Sequence, residues 1–382
     1  MEQKPDGPIV IADRRTAVLM IGPLPPPRGG VANFVEKVRD GFPSEGRYEI
    51  EVYRTGPAGE RPSTSTLFIQ DLRDVLRYFR RSRKGRPQIV HVHTASYYSF
   101  LRNVPYVMWS KHISRVRTVV HVHGGGFIEF YQNGSATVKY LVRRTLQETN
   151  AIIVTSPSWI KAFQDIAGPD KKIVSVPNGF DPRTFRPIER GEARKEAGIP
   201  PEGRVLVTVG YLEEVKGHRY LIEAMREVAA QHQDVRLYII GNGSLRDALA
   251  EQVKKLGLED RVHFLYDPIT SAQVADWMNA ADIFVLPSLK EGNPTVMFEC
   301  LGCGRPFIGT WVGGIPDVIT GEMGVLCEPS DPHGLALAIN EALGREWSVE
   351  RISQHAQRYT WTNIVSQLSA LYDEIMGRET KD

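Results

Sequence analysis

Cysteine is scarce: three in 382 residues, too few for a disulfide framework and a pointer to a reducing compartment. No apolar run approaches the roughly 20 residues that a membrane-spanning helix needs. The opening MEQKPDGPIV has no charged-then-apolar signal pattern. These absences predict a cytoplasmic chain, one still able to sit on the inner membrane face. Charge of one sign is also in short supply. Forty-seven Lys and Arg against 45 Asp and Glu leave a formal net charge of +2, too little to argue for nucleic acid. Repeats of solenoid period and low-complexity tracts are missing. So is an Asp-x-Asp pair in strand-end context, and a metal is not implied.

What is present is enough for two cores, because 382 residues exceed one ordinary domain. Short β-branched runs alternate with helical segments. Strands are expected at 17–22, 48–54, 88–93, 117–123, 151–156 and 172–177. In the second half they are expected at 204–210, 235–241, 261–266, 282–288, 305–310 and 323–329. Most are apolar on both faces, as parallel strands covered by helices must be. The alternation predicts an α/β chain of two doubly wound, Rossmann-like parallel-sheet units. The stretch 178–191, with Pro182 and Pro187, reads as the linker. Expected domains are 1–185 and 186–357. The final segment has apolar residues at 364, 365, 368, 371, 372 and 375, a helical spacing. It is expected to pack back on the first domain, completing it with residues 358–382.

In parallel α/β sheets ligands sit beyond the carboxyl ends of the strands, and several glycine turns fall there. Gly29-Gly30 opens a helix after the first strand, where absent Cβ atoms let amides approach a phosphate. Lys216 lies just before a helix, against the macrodipole unless an anion sits between. IIGNGSLRDAL (239–249) fails the dinucleotide fingerprint, since Arg246 stands where the third glycine belongs. It reads as a strand-to-helix turn walling a nucleotide site. In KEGNPTVMFECLGCGRP (290–306), Asn293 suits an N-cap and Pro294 the first helical position. The amides of Thr295 and Val296 would then be free donors for a phosphate. Glu291 in the loop can accept from sugar hydroxyls, and Glu299 inside the helix can accept both hydroxyls of a ribose.

EGNPTVMFECLGCGRP resembles the Glu–seven residues–Glu motif of retaining glycosyltransferases of family four, which have the two-domain GT-B fold. The resemblance runs along nearly the whole chain in order. PPPRGGVANF is similar to the N-terminal glycine loop and HVHGGGF (121–127) to the histidine–glycine loop facing the donor sugar. VPNGFD (176–181) is similar to the interdomain motif, and VGYLEEVKGH to the diphosphate-binding lysine loop. The resemblance implies transfer of a hexose-type sugar from a nucleotide-diphosphate donor to a saccharide or lipid-linked acceptor, with retention, in glycan or polysaccharide synthesis. It also implies a C-terminal helix crossing back to the first domain. By the same token Lys216, Gly29 and Gly30 neutralise the diphosphate, helped by amides near Pro294, Thr295 and Val296. His123 would contact the transferred sugar, Glu291 its hydroxyls, and Glu299 the ribose. One position departs from the family pattern: Tyr211 stands where an arginine is common, five residues before the lysine. Arg28 is the candidate replacement. Such a site implies no cofactor beyond the donor and no metal. A catalytically silent sugar-nucleotide-binding subunit and a nucleotide-sugar epimerase are the alternatives.

Three further patterns remain. HVH occurs at 91–93 and 121–123, and residues i and i+2 of a strand face one way. Four histidines could therefore meet on a metal, but two strand ends bordering the cleft, with His93 on the acceptor side and His123 on the donor side, is the preferred reading. Cys300 and Cys303 lack a second pair and read as small residues packing a buried helix. In 71–86, Leu72, Val75, Leu76 and Phe79 share one side, and Arg73, Arg77, Arg80 and Lys84 form a basic stripe. A solvated face is the ordinary account. The sharper expectation is contact with an anionic membrane surface carrying the acceptor. No aromatic stacking pattern accompanies the stripe, so nucleic acid is not expected.

Overall fold

The computed structural model describes residues 15–26, 29–56, 64–82 and 87–378. Every run expected to be extended is a strand. The first six are β1 (Thr16–Gly22), β2 (Tyr48–Arg54), β3 (Ile89–Thr94), β4 (Arg117–Val122), β5 (Ala151–Val154) and β6 (Ile173–Ser175). The rest are β7 (Arg204–Val209), β8 (Val235–Ile240), β9 (Val262–Leu265), β10 (Ile283–Leu286), β11 (Phe307–Thr310) and β12 (Gly324–Cys327). Ends differ where chemistry stops a ladder. β10 ends at Leu286 because Pro287 has no amide hydrogen to give.

Two six-stranded sheets form, ordered β2-β1-β3-β4-β5-β6 and β12-β11-β10-β7-β8-β9. All pairings are parallel. Every residue of β3, β5, β10 and β11 is buried; β5 and β10 are apolar on both faces, as strands covered on both sides are, whereas β3 carries His91, His93 and Thr94 on buried positions. Strand order reverses between β1 and β3 in the first sheet and between β7 and β10 in the second. Loops leaving such neighbours diverge and open a crevice at the strands' carboxyl ends.

No helix or strand lies between β6 and the helix Arg190–Glu196, whose first turn takes up Arg190 and Gly191. The chain crosses back near Thr360. There Phe180 N donates to Tyr359 O at 3.0 Å and Trp361 N to Phe180 O at 3.1 Å. The helix Trp361–Met376 then buries Ile364, Val365, Leu368, Leu371 and Tyr372. Four of these share a core with Val18, Met20, Phe34 and Val119 of the first sheet's layer. At roughly 1.5–3 kcal/mol per buried side chain, that packing outweighs the ends. Tyr48 Oη also donates to Asp373 Oδ1 at 2.6 Å, and Arg47 Nη1 to Asp373 Oδ2 at 2.7 Å.

The basic segment is a helix, Thr64–Arg81, in which Leu72, Val75, Leu76 and Phe79 share a side but differ in burial. Val75 and Tyr78 enter the core and Phe79 stacks on Trp109 at 4.0 Å. Leu72 and Leu76 stay about half exposed, in line with Phe68 at 64%. Arg73, Arg77 and Arg80 are exposed, whereas Lys84 lies outside the described residues.

Candidate active site

The pairing of β7 with β10, Leu206 against Ile283 and Val207 against Phe284, brings two distant loops together. Lys216 Nζ donates to Glu291 Oε1 at 2.6 Å, and Ser288 Oγ donates to the same oxygen at 2.7 Å. Leu289 N donates to Val215 O at 2.8 Å and holds the loops in register. Gly217 caps the helix His218–Gln231 with φ +67°, and a Cβ there would overlap the Pro287 carbonyl. Only this residue type lets the lysine loop sit so close. Lys216 is 23% exposed and Glu291 10%. The pair is sheltered enough for its charges to matter, while the ammonium stays reachable from the crevice.

The helix Thr295–Gly302 starts beside this pair. Its N-cap is Pro294, with extended backbone and no side-chain cap. The first-turn amides at Thr295 and Val296 are therefore claimed by no capping group, and the positive end of the helix faces outward. Asn293 is not the cap that its sequence position suggests. It is buried; its Oδ1 accepts from Asn178 N at 2.9 Å, and its carbonyl accepts from the Asn178 amide. A side chain spent on a crossing to the first unit cannot also reach the helix amides.

The first unit closes on this loop directly. A Cβ on Gly125 would overlap the Glu291 carbonyl, and one on Gly292 would overlap the His123 carbonyl. The HGGG turn after β4 and the loop after β10 touch backbone to backbone. Around them Lys290 pairs with Glu129, and Ser156 and Ser158 bond to Asp317. His123 N donates to Thr94 O at 2.9 Å, and its ring lies 4.8 Å from Phe34. Burial pushes the His123 imidazole down to about 3, so the ring is neutral and offers hydrogen bonds rather than a positive charge.

Phe34 lies one turn inside the helix Gly30–Gly41, which puts that helix's N-terminus at the same strand ends. Gly29 is its N-cap, and a Cβ on Gly29 or Gly30 would meet nothing within 4 Å. Lys37 of this helix acts on Glu299 of the second unit. Protein crowds the half-buried Glu299 carboxyl, and burial raises it to about 7, with Lys37 opposing. The turn after β8 packs against the loop after β7: Gly241 sits on the Gly210 carbonyl, and Ser244 bonds twice to Glu213.

His93 is corrected. It does not border the cleft on the acceptor side: it is 1% exposed, and its Nδ1 lies 3.1 Å from His123 Nε2. Strand alternation put both histidines on one face but did not say how far the ladder continues past them. Tyr211 is 56% exposed on the loop after β7, and Arg28 lies outside the described residues. Cys300 and Cys303 are buried free thiols. Ser288, Asn178 and Asp317 were missed as site residues. Of these only Asn178 carried a signal, inside VPNGFD, because single polar residues announce no partner.

Comparison with known proteins identifies the family and the fold. The family model Glycosyltransferase Family 4 matches residues 28–184, and the model Glycosyl transferases group 1 matches residues 203–345. N-acetyl-alpha-D-glucosaminyl L-malate synthase of Bacillus anthracis is 28% identical over 294 residues, 75% of this chain and 75% of that protein. D-inositol 3-phosphate glycosyltransferase of Corynebacterium glutamicum (strain R) is 31% identical over 231 residues. That match covers 56% of this chain and about half (54%) of the relative. Sucrose-phosphate synthase of Thermosynechococcus elongatus has a TM-score of 0.77 at 21% identity, covering 95% of this chain and 100% of that one. Anabaena HepE, crystallised with UDP, has a TM-score of 0.74 at 20% identity, covering 94% and 100%. At such identities the two structures speak for the fold, which is GT-B.

Proposed function

This chain belongs to the family 4 glycosyltransferases, and from that premise we propose that it moves a hexose-type sugar from a nucleotide-diphosphate donor to an acceptor, with retention, in glycan or polysaccharide synthesis. One observation carries the proposal: the Lys216–Glu291 pair stands at the uncapped N-terminus of Thr295–Gly302, opposite the His123 turn. Breaking a sugar–phosphate bond leaves negative charge on the departing diphosphate and positive charge at the anomeric carbon. An ammonium and a helix terminus aimed at the diphosphate stabilise the first, and fixed donors of this kind contribute several kcal/mol in a sheltered site. In this reading the diphosphate displaces Glu291 from Lys216, freeing the carboxylate for sugar hydroxyls. Gly29 and Gly30 give the phosphates room on the other side. Glu299 takes the ribose, and neutral His123 hydrogen-bonds the sugar. The reaction centre then works without a metal.

Lys216→Ala tests the assignment. Turnover should fall about 10²- to 10³-fold with an unchanged circular dichroism spectrum; wild-type turnover would remove it. Thermal shifts against uridine-, guanosine- and adenosine-diphosphate sugars identify the donor.

The acceptor belongs to the first unit. Relatives named for L-malate and D-inositol 3-phosphate put small anionic acceptors on the panel beside saccharides and lipid-linked saccharides. Support for a lipid-linked acceptor comes from the helix Thr64–Arg81. Phe68, Ile69, Leu72 and Leu76 are exposed, with Arg73, Arg77 and Arg80 beside them. An apolar ridge flanked by arginines suits an anionic bilayer surface. No described helix is long and apolar enough to cross a membrane.

A further inference from the structure

Four histidines share one face of the first sheet, since the β3–β4 register sets His93 beside His121. Three of them, His91, His93 and His121, are at most 1% exposed. Their rings stack closely: His91 and His93 have centroids 4.1 Å apart, and His121 lies 5.5 and 5.4 Å from them. Phe34 covers the cluster from one helix and Tyr372 from another. Among the described residues two side-chain hydrogen bonds serve these three rings, His91 Nδ1 with Tyr372 Oη at 2.7 Å and His93 Nδ1 with His123 Nε2 at 3.1 Å, and the Val176 backbone approaches His121 without reaching hydrogen-bond geometry. His91 Nε2, His93 Nε2 and both nitrogens of His121 are buried with no partner among the described residues. Buried polar atoms are nearly always partnered, and apolar residues would fill this space without that desolvation. Something should join these nitrogens.

We propose that His91, His93 and His121 hold one borderline divalent transition-metal ion, of the zinc class, as a structural centre behind the donor cleft. One donor nitrogen from each ring lies within 4.8 Å of the others. A tetrahedral centre with bonds near 2.0–2.1 Å sets them about 3.3 Å apart, a closure that ring rotations supply. The hydrogen bonds already present choose the ligand atoms. With Nδ1 of His91 and His93 engaged, the lone pair of each falls to Nε2, the usual arrangement in which a ligating imidazole uses its other nitrogen outward. Nitrogen donors without carboxylates select zinc, cobalt or nickel over magnesium or calcium. The fourth position falls to water or hydroxide. The centre would also fix the proton of His93 on Nδ1, donating to His123 Nε2, and so set the tautomer of the residue facing the donor. It does not depend on the transferase reading and takes no part in bond breaking.

The test uses the full chain with a non-histidine tag, purified without chelator. Elemental analysis should find about one zinc per chain. Protein expressed with cobalt as the supplied metal should show the visible ligand-field bands of tetrahedral Co²⁺. The double variant His91→Leu/His121→Leu should lose both signals while keeping its circular dichroism. Metal persisting in that variant would place the ion elsewhere and overturn the assignment. Metal-free wild-type protein whose melting temperature does not move with added Zn²⁺ would overturn it too, even if the variant fails to fold.

Discussion

Glu299 holds its proton to about 7 because burial disfavours the carboxylate and Lys37 offsets only part of that cost. In the unfolded chain the same group titrates near 4.5. The folded pKa is raised, so the protonated form contributes stability in full below about pH 4.5, and that contribution is lost as pH climbs through 7. At about 1.4 kcal/mol per pH unit, the ionised side chain burdens the free protein by about 3 kcal/mol at pH 8. Glu299→Gln keeps the shape and removes the charge. The variant should therefore match the wild type near pH 4.5 and gain on it steadily, up to about 3 kcal/mol by pH 8. Urea midpoints of both proteins at pH 5, 6, 7 and 8 measure this. A stability difference that stays constant across that range would refute the reasoning. The same variant should bind a nucleoside diphosphate more weakly, since ribose hydroxyls are what would stabilise the charge. A gain in stability alongside a loss in affinity marks a group kept for binding.

Gly125→Ala puts a methyl into the Glu291 carbonyl; the two units should part, lowering kcat/KM by at least about tenfold and raising the radius of gyration in small-angle scattering. Tyr48→Phe removes a hydrogen bond to Asp373 and should cost about 2 kcal/mol, read as a lower melting temperature with turnover unchanged. Charge reversal of Arg73 and Arg77 together should abolish co-flotation with anionic liposomes; flotation that never depended on anionic lipid would end the membrane proposal. Added Mg²⁺ or Mn²⁺ should leave initial transfer rates unchanged, because Lys216 and a helix terminus supply the positive charge at the diphosphate.

Most of the twelve strands were legible because a parallel strand covered on both sides is apolar on both, and that requirement is local to each run. The closing helix was legible for a similar reason, its apolar positions recurring at helical spacing. Lys216 and the two glutamates could be singled out because a glycine turn or helix start beside each gives the charge a reason. Their contact could not. Lys216 reaches Glu291 across 75 positions only because β7 and β10 are neighbours at the point where strand order reverses. Asn293 shows the converse. Its local rule, a polar residue before a proline at a helix start, was valid and lost to Asn178 in the other unit. His93 lost its expected exposure to two helices that close over the strand.

Residue order by itself determined which segments are strands and helices, that there are two such units, and which chemistries the loops between them can offer. Periodicity, proline and glycine act within a few residues, so the chain carries these in plain view. Tertiary structure decided what meets what: a lysine and a carboxylate at one helix tip, a carboxyl raised to about 7 by its surroundings, and three imidazoles sealed together. Pairing and burial are properties of neighbours brought from far along the chain, and no local pattern records them.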